Sequence, residues 1–180
     1  MRFSLAEWVE REGVLMSDVQ RIGNGKVVRF HYTLRNSDNE QLDSSVEAGP
    51  LAYLHGASNV VPGLERHMSG HQTGDKFVAV IAPSEGYGEY QQPGPQPVER
   101  SAFPAEADLR VGISFTVEAG NGEVFPVWVT AVEENTVYVD ANHPLAGVTL
   151  HFDVEIVEIR DASADELAQG HPHGPGERHR

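Results

Sequence analysis

The chain has 180 residues, 39% apolar and 22% charged, the balance of a folded domain with a real core and not of a disordered chain. Its formal net charge of -14 argues against nucleic acid as a partner, because phosphates need a basic face, and the absence of cysteine excludes disulfides, thiolate catalysis and Cys-type zinc sites. No apolar run approaches the ~18 residues of a membrane span, and an N-terminus carrying Glu7, Glu10 and Glu12 is not a secretory or transit signal, so the cytoplasm is the expected compartment.

Residues 1–15 read as a short amphipathic helix with Leu5, Trp8 and Val9 on one side, a packed or frayed extension; Met16 is an alternative start. After the turn at Gly23-Asn24-Gly25, Val28, Phe30, Tyr32 and Leu34 alternate with polar partners, the pattern of a half-buried strand. Gln41 to Ser45 resumes extended structure and places Asp43 next to Leu42. The stretch from Pro50 to Gly88 organises the rest. Leu51, Tyr53 and Leu54 form a short strand that ends at His55-Gly56. Val60, Leu64 and Met68 then recur at helical spacing, stopped by Gly70. Lys76 to Ala82 alternates as a strand and closes on Pro83 and Tyr87-Gly88.

Beyond this the composition changes. Glu89 to Pro97 is rich in Pro and Gln and reads as a linker. Strand-like runs follow at Ile113–Val117, Val124–Val132 and Thr136–Val139, separated by turns, which predicts a small β-rich unit. Between residues 89 and 140 nine acids face only Arg100 and Arg110, a net charge of -7. Val148, Leu150, Phe152, Val154 and Ile156 then make the cleanest alternation in the chain; its phase slips at Val157 and Ile159, which fits either a bulge or a fully buried strand. Such a strand needs partners, and the runs at 28–34 and 76–82 are the candidates, so residues 89–140 are expected to be an insertion. A short helix (ASADELAQ) and a Gly/Pro/His-rich tail, expected to be disordered, end the chain.

The motifs HYTLRN with QLDSS, PLAYLHG, VVPGLE, SEGYGEY and VDANHPLAGVTLHFDVEI, in this order over residues 26 to 160, resemble FKBP-type peptidyl-prolyl cis–trans isomerases of the bacterial SlyD branch. The resemblance implies an α+β, mainly β fold: a half-open antiparallel sheet wrapped on a short helix, with a small β-rich insert-in-flap domain that serves as a chaperone part. It divides the chain into an extension (1–22), a discontinuous isomerase domain (23–88 and 141–160), the insert (89–140), and a helix with a His-containing tail (161–180).

The resemblance also implies a cleft floored by Leu64 and walled by Tyr32, Leu42, Asp43 and Leu51. Val60 and Val61 stand at the start of the helix, with the Val61 amide facing a substrate carbonyl, and Tyr87, Leu145 and Phe152 complete the rim. Tyr87 is expected to hydrogen-bond a substrate carbonyl, and Asp43 either to act electrostatically near the twisting carbonyl or to hold Tyr32 in place. On periodicity alone Leu42, Leu51, Val60, Leu64 and Phe152 are core residues, and Tyr32 and Tyr87 are as readily core tyrosines. The expected partners are unfolded or partly folded polypeptides bearing Xaa-Pro bonds, bound by a monomer that needs no cofactor. His171, His173 and His179 are candidate ligands for weak binding of nickel or another divalent metal. Rival readings are a holdase with little isomerase activity and a nickel-handling accessory protein. No Gly-x-Ser-x-Gly elbow or complete phosphate loop is present.

Overall fold

The computed structural model describes residues 19–174, so the helix expected over 1–15 and the tail residue His179 lie outside the described residues. The elements run β1 (Lys26–Arg35), β2 (Gln41–Ser44), β3 (Leu51–Leu54), α1 (Pro62–Met68), β4 (Lys76–Ile81), β5 (Gln96–Glu99), β6 (Ser114–Glu118), β7 (Val124–Val132), β8 (Thr136–Asp140), β9 (Leu150–Asp161) and α2 (Ala164–Gln169). The fold is mostly β and antiparallel.

The host sheet has the order β2-β1-β9-β4, and β3 shares the β2 edge of β1. β2 pairs with the Thr33–Arg35 end and β3 with Val27–Phe30. β4 and β9, on either side of residues 89–140, pair directly with Ala79 opposite Phe152. Phe30, Tyr32 and Leu34 stand opposite Ile156, Val154 and Phe152, so the apolar phases of β1 and β9 coincide on one face. The phase slip at Val157 is a bulge: Arg29 opposes Glu158 while Phe30 opposes Ile156, and Ile159 returns to the buried side.

That face buries Val28, Phe30, Ala79, Ile81, Phe152, Val154 and Ile156 against Leu64 and Met68 of α1. Each large side chain fully removed from water there contributes about 1.5–3 kcal/mol. Ile22, expected to lie in an N-terminal extension, is 4% exposed and belongs to this core. Its backbone is tied down on both sides, N–H to the His71 carbonyl and carbonyl to the Gly70 N–H, each at 2.9 Å.

α1 starts at Pro62 and not at Val60. A residue before proline is driven to extended backbone, and Val61 has ψ 142°; Pro62 then occupies the first helical position, where its missing N–H costs nothing. Gly63 permits the close approach of α1 to β4. A Cβ there would meet Ile81 Cγ2 at 2.5 Å and the Glu85 carbonyl oxygen at 3.1 Å. Gly63→Ala is therefore expected to destabilise the fold by about 1–3 kcal/mol through overpacking, against a gain of only ~1 kcal/mol in helix propensity. Urea unfolding checks this; an unchanged or raised midpoint would refute it.

The second sheet has the order β5-β8-β7-β6. β5 was hidden in the Pro/Gln-rich stretch expected to be a linker. It is an edge strand with Pro97 opposite Tyr138, and an edge tolerates a residue without an N–H. The two segments joining the sheets are clasped together. Asn142 accepts from the Gln91 N–H at 2.7 Å and donates to the Gln91 carbonyl at 2.8 Å, while Tyr90 Oη donates to buried Asp140 at 3.3 Å. The tail expected to be disordered is tied down as far as it is described: the His173 N–H donates to Glu166 Oε1 at 2.8 Å.

Candidate active site

A cavity of about 380 Å³ opens between α1 and the inner face of the host sheet. β1 supplies Phe30, Tyr32 and Leu34, alternate residues of one strand, and β9 supplies Phe152. Buried Leu64 of α1 lines it from the other side, with Val60, Val61, Ser58 and Asn59 of the preceding loop. Leu51, Asp43 and Tyr87 complete the lining.

The loop before α1 is held by a hydrogen-bond network that starts from buried Tyr53 and His55. Tyr53 Oη lies 2.9 Å from His55 Nδ1, and His55 Nε2 lies 3.0 Å from Ser69 Oγ. The Gly56 N–H donates to Glu65 Oε1 at 2.5 Å, and Asn59 Oδ1 accepts from the Leu54 N–H at 2.9 Å. Gly56 has φ 90°, and a Cβ there would meet Asn24 Oδ1 at 2.8 Å, so only glycine fits. Burial, partly offset by the Glu65 charge, lowers the His55 pKa below its ordinary value.

The polar groups of the cleft are few. Tyr32 Oη donates to Asp43 Oδ2 at 2.7 Å, and Asp43 Oδ1 accepts from the Ser44 N–H at 2.8 Å. Burial first, then the hydrogen bond and charge of Asp43, push the Tyr32 phenol up to about 12, so it stays a donor at neutral pH. The Tyr32 ring is wedged between Phe30 and Phe152, with centroids 5.9 Å from each. Burial and the Asp43 charge also raise the Tyr87 phenol. Neither the Tyr87 hydroxyl nor the Val61 N–H has a hydrogen-bond partner among the described residues.

Eight of the ten expected residues line this cavity: Tyr32, Asp43, Leu51, Val60, Val61, Leu64, Tyr87 and Phe152. Leu42 does not. Side chains alternate along β2, so with Asp43 aimed at Tyr32, Leu42 points the other way and is 38% exposed. Leu145 also stands off the cleft and packs against the host core. A hollow of about 410 Å³ between His31, Val46, Phe77 and Val78 lacks such convergence; its Lys76 and Glu155 pair with each other at 3.3 Å. In the tail the His171 and His173 rings lie 5.5 Å apart, and among the described residues no group of three potential ligands could hold a metal ion.

The family model described as FKBP-type peptidyl-prolyl cis-trans isomerase matches residues 19–157. The chain belongs to this family. It is 42% identical over 154 residues to the FKBP-type peptidyl-prolyl cis-trans isomerase SlyD of Escherichia coli (strain K12), covering 86% of this chain and 78% of that protein. The SlyD protein of Treponema pallidum (strain Nichols) is 41% identical over 148 residues, 82% of this chain and 84% of its own. That of Vibrio cholerae serotype O1 is 40% identical over 156 residues, 87% and 77% of the two chains.

The cleft of this FKBP-type isomerase also contains four residues that sequence reasoning had not assigned to it: Phe30, Leu34, Ser58 and Asn59. Phe30 and Leu34 were readable, since they flank Tyr32 at a spacing of two on one strand. Ser58 and Asn59 gave no signal: Ser58 adopts φ 57°, and the loop's path follows from the distant network around His55.

Proposed function

We propose that this FKBP-type isomerase twists Xaa-Pro bonds of partly folded chains in the cleft, and that residues 89–140 hold the client nearby. The observation that carries the first part is the convergence of Tyr32, Asp43, Leu64, Tyr87 and Phe152, from five separate segments, on one apolar cavity. A prolyl amide crosses a barrier of ~18–20 kcal/mol and unaided takes tens to hundreds of seconds. The barrier is the resonance lost as the C–N bond rotates; no bond breaks and no nucleophile or cofactor enters. A dry cleft favours the twisted, less charge-separated amide over the planar one, and that difference is the catalysis. The Tyr87 hydroxyl and the Val61 N–H are the donors for substrate carbonyls.

Of the two roles open to Asp43, holding Tyr32 is the better supported, because both carboxylate oxygens are already occupied. Asp43→Ala is expected to lower kcat/KM on a prolyl tetrapeptide about tenfold, the worth of one hydrogen bond to a charged group. Tyr32→Phe should cost a similar factor, and the double variant no more than either alone. A protease-coupled assay reads all three; a full rate in Asp43→Ala, or additive losses, would overturn this role.

The holding part rests on an apolar hollow of about 320 Å³ in the second sheet, lined by Val98, Val117, Phe125, Val127 and Val139. Edge strand β6 lies open to strand addition by an extended client, and the net charge of -7 on this part limits co-aggregation. In this reading the protein acts as a cytoplasmic monomer, no cofactor takes part, and metal binding at the tail histidines is adventitious. Light scattering of an aggregating client tests the holding; no suppression by an equimolar amount of the protein would refute it.

A further inference from the structure

His143 lies in the segment that returns from β8 to β9, and it touches both the cleft and the second sheet. Its imidazole stacks on the Tyr87 ring, with centroids 4.0 Å apart and planes 8° from parallel. It also meets Trp128 of β7 edge-on, at 5.2 Å and 66°. Nδ1 accepts from the Leu145 N–H at 3.0 Å, and the His143 carbonyl accepts from the Ala146 N–H at 2.8 Å, so both ring and backbone are pinned. Tyr87, by contrast, sits between Gly86 and Gly88 (φ 88°), and its hydroxyl has no partner among the described residues. A ring on a glycine-flanked turn takes its orientation from what it stacks on.

We infer that His143 is a positioning residue: its stack on Tyr87, backed by Trp128, sets the phenol over the cleft and mechanically joins the second sheet to the isomerisation site. This rests on the role proposed above for the Tyr87 hydroxyl. The device works with a neutral imidazole, because a protonated Nδ1 cannot accept from Leu145. Burial keeps His143 below its ordinary pKa, so it is neutral at pH 7. The ionisable groups on the elements around it are Tyr87 itself, Tyr90 and Asp140, which bind each other, and Glu85, which pairs with Arg66. None of these is a cation that would hold the imidazole neutral once the pH falls below its pKa.

A prolyl tetrapeptide is too short to bridge the cleft and the second sheet, so its turnover reads the cleft alone. His143→Ala is expected to lower kcat/KM about three- to tenfold, mainly through kcat, the worth of one aromatic stack. Trp128→Ala should lose less, and the double variant no more than His143→Ala, since Trp128 acts through the imidazole. His143→Phe keeps a stacking ring but cannot accept from the Leu145 N–H, so at pH 7 it should lie between the parent and His143→Ala. The parent kcat/KM should also decline on the acid side, at a pH below the ordinary imidazole range because burial lowers the His143 pKa, and His143→Phe should lack that decline. A full rate in His143→Ala while Tyr87→Phe is impaired overturns the positioning role. A full rate in Tyr87→Phe overturns instead the role of Tyr87. An acid-side decline retained in His143→Phe shows that His143 does not control the site's pH response and overturns that part of the inference. Melting curves confirm that each variant is folded at the assay temperature, and if His143→Ala is not, His143→Phe and Trp128→Ala still decide the matter.

Discussion

Replacing residues 89–140 by a short turn is expected to slow the catalysed refolding of a proline-limited protein by about 100-fold or more, while prolyl tetrapeptide turnover falls by no more than about threefold. The two substrates part company for a physical reason. On the proposed reading, an unfolded chain held at the second sheet meets the cleft as an intramolecular ligand, whose effective concentration is set by the short distance between the sites. A tetrapeptide gains nothing from such tethering and loses only the Trp128 support beneath His143 and Tyr87. The host is expected to survive the excision, because β4 and β9 pair directly through six residues in register. Its melting curve checks that. Equal losses for the two substrates would show that the second sheet acts only as a prop for the cleft and holds no client.

The largest loss of stability from a single polar substitution is expected at Glu166. Its side chain is 2% exposed and lies against Arg160, with Arg160 Nη2 donating to Oε1 at 2.6 Å and Nη1 to Oε2 at 2.8 Å. The Ser163 and His173 N–H groups also donate to it, each at 2.8 Å. Ser163 caps α2 reciprocally through the Glu166 N–H. Glu166→Ala strands two backbone donors and one guanidinium. The cost is expected to be about 2–3 kcal/mol, below the value for a fully buried pair, because Arg160 keeps enough exposure to return to water. The melting temperature should fall by roughly 5–10 °C. The Arg160 hydrogen bonds, working against burial, hold the Glu166 carboxyl well below the usual carboxylate range. Its folded pKa is thus lower than its unfolded value of about 4.3, so its contribution is complete above about pH 5 and fades as the solution is acidified through the folded value. The gap between parent and Glu166→Ala should therefore close on acidification. A gap unchanged between neutral pH and about pH 3 would refute this account.

The strands that carry the host were legible because their alternation is long. β1 and β9 each bury one face, and even the slip at Val157 could be narrowed to two readings, of which the bulge is the one that occurs. β5 was not legible, since Pro95 and Pro97 read as linker, and only its edge position in a sheet built from later residues makes it a strand. In the cleft, placing both Leu42 and Asp43 on the wall ignored the strand period, which allows only one of two neighbours to face inward. Phe30 and Leu34 were missed for the opposite reason: their period marked them as core without showing that the core opens into a cavity beside Tyr32. His143 stood in the NHPLAG motif without a role, and its importance emerges only when Tyr87 and Trp128, forty-one residues apart, meet at its ring.

The pairing of β1 with β9 has a consequence for how the protein is made. The ribosome delivers Lys26–Arg35 long before Leu150–Asp161, so the host sheet cannot close until the chain has emerged as far as Asp161. The four strands between Gln96 and Asp140 are contiguous and need no later segment to pair. The nascent molecule thus completes its second sheet first and its isomerase sheet last, and during that interval the host segments are an unfolded chain whose own Xaa-Pro bonds are open to isomerisation.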